Sequence, residues 1–93
     1  MIRSFRCPDT EELFVSGTTH RFNSFKAVAE RKLQQLDSAE TLDFLRAPPG
    51  NRLEALKGDL RGLHSIRINE QWRVIFRWTK NGPEAVAIVD YHR

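Results

Sequence analysis

Three arginines recur at alternate positions of two neighbouring apolar runs: Arg67 in one, and Arg73 and Arg77 in the next. Near the end of the sequence stands Asp90-Tyr91-His92. Arginine keeps its charge, and its planar fork donates paired hydrogen bonds to phosphate oxygens. Histidine titrates near neutral pH and can give or take a proton there. A fixed cation beside a titratable imidazole could serve an acid–base reaction with an anionic transition state. Each residue also has a plainer reading. The arginines could be solubilising strand charges, Tyr91 could be packed, and His92 could be a surface group. On the strand-surface reading, replacing Arg73 would cost little stability.

The charge distribution favours a polyanionic partner. Residues 1–51 hold seven Lys/Arg and seven Asp/Glu. Residues 52–80 hold seven cations (Arg52, Lys57, Arg61, Arg67, Arg73, Arg77 and Lys80) against Glu54, Asp59 and Glu70. The excess behind the net charge of +3 is therefore confined to the later half, where it could neutralise phosphates. Charge counting alone leaves a solvated strand face equally open.

The scaffold is small. Ninety-three residues make a single domain, 1–93, with room for a modest core and none for a cofactor domain. No run approaches the roughly 18 apolar residues of a membrane span, and Arg3 and Arg6 stand where a signal peptide would be apolar. A cytoplasmic location with no membrane partner is expected. Cys7 is the only cysteine, which leaves no disulfide framework, and an unreactive structural role is the simplest reading. His20, His64 and His92 have no metal-ligand spacing. Neither a metal nor a cofactor is expected.

Periodicity places these residues on elements. Ile2–Phe5 alternates as a short strand. Pro8-Asp9 opens a helix, with Asp9 and Glu12 at capping-box spacing and Gly17 as the stop. Phe22, Phe25, Ala29, Leu33 and Leu36 fall on one face of a helix of about four turns. Asp37 and Glu40 repeat the capping-box spacing and predict a shorter helix carrying Leu42, Phe44 and Leu45, antiparallel to the long one, before Pro48-Pro49-Gly50 stops it. The period then changes to two. Residues 52–56 can be extended, 57–59 turn, 64–69 alternate, 72–79 form the clearest strand, and 85–91 return as the last. The predicted fold is α+β, with an N-terminal strand and a helical hairpin packed on one face of a small antiparallel sheet. Ile66, Ile68, Trp72, Val74, Phe76 and Trp78 form the covered face, which makes the tryptophans core residues. Arg67, Arg73 and Arg77 share the other face, as the walls of a basic cleft.

Several runs resemble the HigB-type toxins of the RelE/ParE superfamily. They are Met1-Ile2-Arg3-Ser4-Phe5, Arg52-Leu53-Glu54-Ala55-Leu56-Lys57-Gly58-Asp59, Ser65-Ile66, Asn69-Glu70-Gln71-Trp72-Arg73-Val74 and Asp90-Tyr91-His92. They span the whole chain in the family's order. The resemblance implies a RelE-like fold and ribosome-dependent cleavage of mRNA. It also implies a helix-turn-helix antitoxin of the HigA type as partner.

Metal-independent RNA cleavage lets the neighbouring 2′-hydroxyl attack the phosphate. It needs a group to take the 2′ proton, a cation for the transition state and an acid for the departing 5′ oxygen. Arg73 leads for the cation, followed by Lys57 and Arg67. His92 is the acid–base candidate, Asp90 could orient it, and Tyr91 could stack on a base or bind the phosphate. Strand alternation puts Asp90 and Tyr91 on opposite faces, so the three meet a substrate only if the tail bends. Arg77 and Arg61 would contact the RNA backbone, and His64 could touch RNA. Gln71 keeps an amide where asparagine is common in the family. Glu54 stands where some members carry histidine; it could act as base but would repel phosphate, so the base stays unassigned. Two other readings stay open: a ParE-like gyrase inhibitor, and an RNA- or antitoxin-binding module with weakened catalysis.

Overall fold

Trp72–Thr79 alternates because its apolar side chains have a core to enter. In the computed structural model, which describes residues 1–91, this strand is β3, third of four. The strands run β1 (Glu54–Ala55), β2 (His64–Arg67), β3 and β4 (Gly82–Asp90). They pair antiparallel in chain order, so each connection is a turn between neighbours. Asn69 shapes the β2–β3 turn: its Oδ1 accepts hydrogen bonds from the backbone N–H groups of Gln71 and Trp72, each at 2.8 Å.

Two helices, α1 (Pro8–Ser16) and α2 (Lys26–Ser38), cover one sheet face. Leu13, Phe22, Ala29, Leu33 and Leu36 from the helical half meet Ile66, Val74, Phe76, Val86 and Ile88 from the strands. A fully buried Leu or Phe contributes about 1.5–3 kcal/mol. Trp72 and Trp78 pack at the margin of this core, as expected. Thr10 ties α1 down, its buried Oγ1 accepting from the Ile88 backbone N–H at 2.9 Å.

The predicted N-terminal strand is a single parallel bridge, Phe5 with Val86. A bulge in β4 makes room for it. The register shifts between Ile75 and Arg77, so Ala85 and Val86 lie across from Phe76 alone, and Ala85 takes φ 54°. Ser4 uses the freed groups: its carbonyl accepts from Val86 N–H at 3.1 Å and its Oγ from Ala85 N–H at 2.9 Å.

Three expectations need correction. The shorter helix is one 3-10 turn, Asp43–Arg46, between the extended residues Ala39 and Ala47. Asp37 is not a cap; it lies within α2, and its Oδ1 accepts from the Ile2 backbone N–H at 2.7 Å. The N-cap of α1 is Cys7, with no side-chain cap, and Pro8 supplies the first helical φ. No helix among the described residues is long and apolar enough to cross a membrane.

The sheet face away from the helices is not bare. Leu56, Leu63, Ile75 and Ala87 form a second small core, with Cys7, Leu60, Val89 and Tyr91 packed around it. The chain between β1 and β2, including the 3-10 turn Gly58–Leu60, supplies Leu60 and Leu63.

Candidate active site

Strand register brings the charged residues together. Arg67 and Arg73 are direct partners across β2 and β3, and Glu54 on β1 pairs with Ser65 on β2. Like charges placed opposite one another repel, and each guanidinium is turned to its own acceptor. Arg67 donates from Nε to the Asn69 carbonyl at 3.1 Å. Arg73 Nη1 lies 3.1 Å from Glu54 Oε1, donates to the Arg52 carbonyl at 3.3 Å, and donates to Ser65 Oγ. The Tyr91 ring covers the same guanidinium, with its centroid 5.5 Å from Cζ.

Arg73 is thus no free strand-surface charge. It is only 8% exposed, and Ser65 beneath it is fully buried. The carboxylate compensates a cation that would be costly to bury alone. Burial also removes the rotamer freedom of an exposed arginine, so the fork is held ready.

Around this group opens a polar cleft of about 490 Å³, lined by Arg52, Glu54, Arg67, Asn69, Glu70, Arg73 and Tyr91. Its size falls in the range of small-ligand sites. Three guanidiniums face two carboxylates, so the cleft suits an anion that also offers hydrogen-bond donors, as a nucleotide does.

Of the residues singled out in the sequence, Arg73, Arg67, Glu54 and Tyr91 meet here. Lys57 lines an adjoining recess with Glu54 and Tyr91. Asp90 sits beyond the rim, where its Oδ2 accepts from Gln71 Nε2 at 3.0 Å. The Tyr91 backbone N–H donates to the Gln71 carbonyl at 2.6 Å, so Gln71 holds the end of β4 without lining the cleft. Asp90 pairs with Trp72 across the strands while Tyr91 covers Arg73, which agrees with opposite faces for Asp90 and Tyr91. His92 lies outside the described residues.

The structure does not bring the other three to the cleft. Arg77 is exposed, four residues along β3 from Arg73, about 13 Å at strand rise, with Ile75 of the second core between them. Arg61 follows the 3-10 turn Gly58–Leu60 and does not line the cleft. His64 pairs with Phe76 and stacks on its ring at 6.2 Å, so it faces the helical side. Its buried Nδ1 has no hydrogen-bond partner among the described residues.

Three lining residues, Arg52, Asn69 and Glu70, were not predicted as site residues. All lie in connections, where alternation carries no information. Arg52 depends on the loop before it. Asn51 is fully buried; its Oδ1 accepts from Lys32 Nζ, and its Nδ2 donates to Gln35 Oε1 and to the carbonyls of Leu45 and Ala47. Arg52 follows in the left-handed region at φ 46°. Burial, and then the nearby Arg31 charge, lower the pKa of Lys32 from 10.5. No cluster of three His, Cys, Asp or Glu side chains among the described residues is placed to hold a metal ion.

The family model for HigB-like toxins, "RelE-like toxin of type II toxin-antitoxin system HigB", matches residues 3–92. Toxin HigB-1 of Vibrio cholerae is 38% identical over 95 residues, covering 100% of this chain and 99% of that protein. Endoribonuclease HigB of Proteus vulgaris is 30% identical over 94 residues, covering 99% of this chain and 100% of that protein. Among solved structures, the YoeB–YefM complex from Staphylococcus aureus aligns with a TM-score of 0.62 at 20% identity, over 100% of this chain and 99% of its own. The YoeB dimer from the same organism gives 0.61 at 20% identity, over 99% and 98%. At that identity these two carry the fold alone.

Proposed function

Because the chain belongs to the HigB-like family of RelE-like toxins from type II toxin–antitoxin systems, we propose that it is an endoribonuclease that cuts mRNA on the ribosome without a metal. The name of its Proteus vulgaris relative, Endoribonuclease HigB, supports the activity. The observation that carries the reading is Arg73, buried at the floor of an open polar cleft with Tyr91 over it.

In the proposed reaction the 2′ oxygen bonds to phosphorus and the bond to the 5′ oxygen breaks, leaving a 2′,3′-cyclic phosphate and a 5′-hydroxyl. Arg73 stabilises the charge gathering on the phosphate oxygens, and its existing ion pair means that it needs no reorganisation when the substrate arrives. Arg52 and Arg67 hold the adjoining phosphates, while Lys57 adds positive potential from the next recess. Glu54, which lines the cleft beside Arg73, is assigned the 2′ proton. Its contact with Arg73 fixes the carboxylate's position and also sets it against the incoming phosphate. Tyr91 offers a ring to a base and a hydroxyl to the phosphate. His92 is assigned the proton for the 5′ oxygen, and Asp90 the role of orienting it.

The partner that would restrain this activity is an antitoxin, of the helix-turn-helix HigA type. The site of action is the cytoplasm, where ribosomes translate. The test is to induce the protein, map RNA 5′ ends and check DNA integrity in the same cells. Ribosome-dependent cuts within coding sequence are expected. DNA damage without RNA cuts would point to a gyrase poison, and neither effect to a binding module without catalysis.

A further inference from the structure

A groove of about 410 Å³ shares Tyr91 with the cleft. Its floor is apolar, built from Leu60, Ile75, Ala87 and Val89, and Arg6 and Arg21 stand along it. Tyr91 lines both recesses, so the two meet at this residue. Arg21 is held in place: its Cζ sits 5.2 Å from the centroid of Phe22 and 5.9 Å from that of Trp72. Its Nη1 lies 3.4 Å from Asp9 Oδ2, an exposed pair that leaves much of the fork facing solvent. Asp90 also borders the groove, engaged by Gln71.

We infer that this groove is a second nucleotide subsite, taking the neighbour of the cleaved nucleotide on the same RNA strand; the inference rests on the ribonuclease reading. A strand whose scissile phosphate lies at Arg73 must leave the cleft, and Tyr91 forms one of its walls. Beyond that wall an apolar floor can take the face of a base, and two guanidiniums can take the phosphate attached to it. An acidic peptide would match the two arginines equally well. Continuity with the cleft through a shared aromatic ring favours the RNA strand. Arg6 and Arg21 belong to the half of the sequence with no net charge, so charge counting passed over them.

The experiment titrates the full chain with two dye-labelled RNAs that are 2′-deoxy at the attacking position and so cannot be cut. One is a dinucleotide with a single linkage for the cleft; the other carries one more nucleotide on each side. The longer RNA should bind at least about fivefold more tightly, the lower end of the effect of one stacked base. The double variant Arg6→Ala/Arg21→Ala should lose that gain and keep its affinity for the dinucleotide. Arg6→Glu alone, at an exposed position, should act in the same direction without disturbing the Arg21 stack. The inference is overturned if the gain survives in both variants, or if the wild type shows none. It is also overturned if the variants lose affinity for the antitoxin while the RNA gain stays intact, which would make the groove a protein contact. Cutting of ribosome-bound mRNA by wild type separates the two ideas. Cutting without the gain sinks the subsite alone, whereas the absence of any cutting sinks the ribonuclease reading and the subsite with it.

Discussion

Replacing Arg73 with alanine should abolish cleavage, but it should also destabilise the fold, and the two effects must be separated. Removing one partner of a buried ion pair costs about 3–5 kcal/mol when both are sequestered. The Glu54 side chain is 32% exposed against 10% for Arg73, so water rescues part of the orphaned carboxylate, and about 1–2 kcal/mol is the better figure. Ser65 is fully buried and loses the donor to its Oγ, which adds about 1–2 kcal/mol. A total of roughly 2–4 kcal/mol in a domain of this size lowers the melting temperature by about 10–25 °C. Lost growth arrest in this variant therefore says nothing by itself about chemistry.

Arg73→Lys separates the effects. The ammonium can stay near Glu54 and Ser65, but it lacks the planar fork that spans two phosphate oxygens. It should melt within about 5 °C of wild type, while cleavage falls by about 100-fold or more, the usual cost of losing a transition-state donor. Thermal melts and single-turnover cleavage of ribosome-bound mRNA measure both quantities. Wild-type cleavage by the lysine variant would remove Arg73 from its catalytic role. An alanine variant that melts with wild type would show that the Glu54 pair contributes nothing to the fold.

Asn51→Ala should cost about 2–3 kcal/mol, because it strands Lys32, Gln35 and two loop carbonyls; denaturant melts read the loss, and an unchanged midpoint refutes it. Gly82→Ala should destabilise by about 1–3 kcal/mol, since Gly82 holds φ 120° and a Cβ there would collide with the Met1 carbonyl oxygen. Deleting the N-terminal residues that create the collision should relieve part of that cost. Lys32 carries a lowered pKa, so between its folded value and 10.5 the unfolded chain binds more protons and stability rises with pH. The stability of wild type relative to Lys32→Met should accordingly rise as pH approaches 10.5, and a flat difference would contradict the burial of Lys32. Deleting His92-Arg93 should slow cleavage more than RNA binding; an unchanged rate leaves His92 without a role.

Alternation made the core face legible and, with it, the side on which Arg67 and Arg73 lie. The same parity, extended two residues back from Ile66, puts His64 on the core side beside Phe76. Parity failed differently at Arg77, which has the right face but the wrong distance. Nothing in a period-two pattern says what covers a face. Ile75 shares the strand face of the arginines, yet it is buried, because the chain between β1 and β2 returns beneath the sheet and carries Leu60 and Leu63 with it. That second core explains why the site is a cleft rather than an open basic face. It fills the middle of the exposed side and confines the polar surface to one end, where loop residues Arg52, Asn69 and Glu70 complete the wall. Those loop residues obey no period: Arg52 follows Asn51, which is anchored on α2, and Glu70 sits in the turn that the Asn69 side chain shapes. The burial of Arg73 follows from the same arrangement. A guanidinium at the edge of an apolar cluster needs a carboxylate, and Glu54, one strand beyond Ser65, supplies it. Glu54 is thus the residue that compensates the buried central cation and aims it.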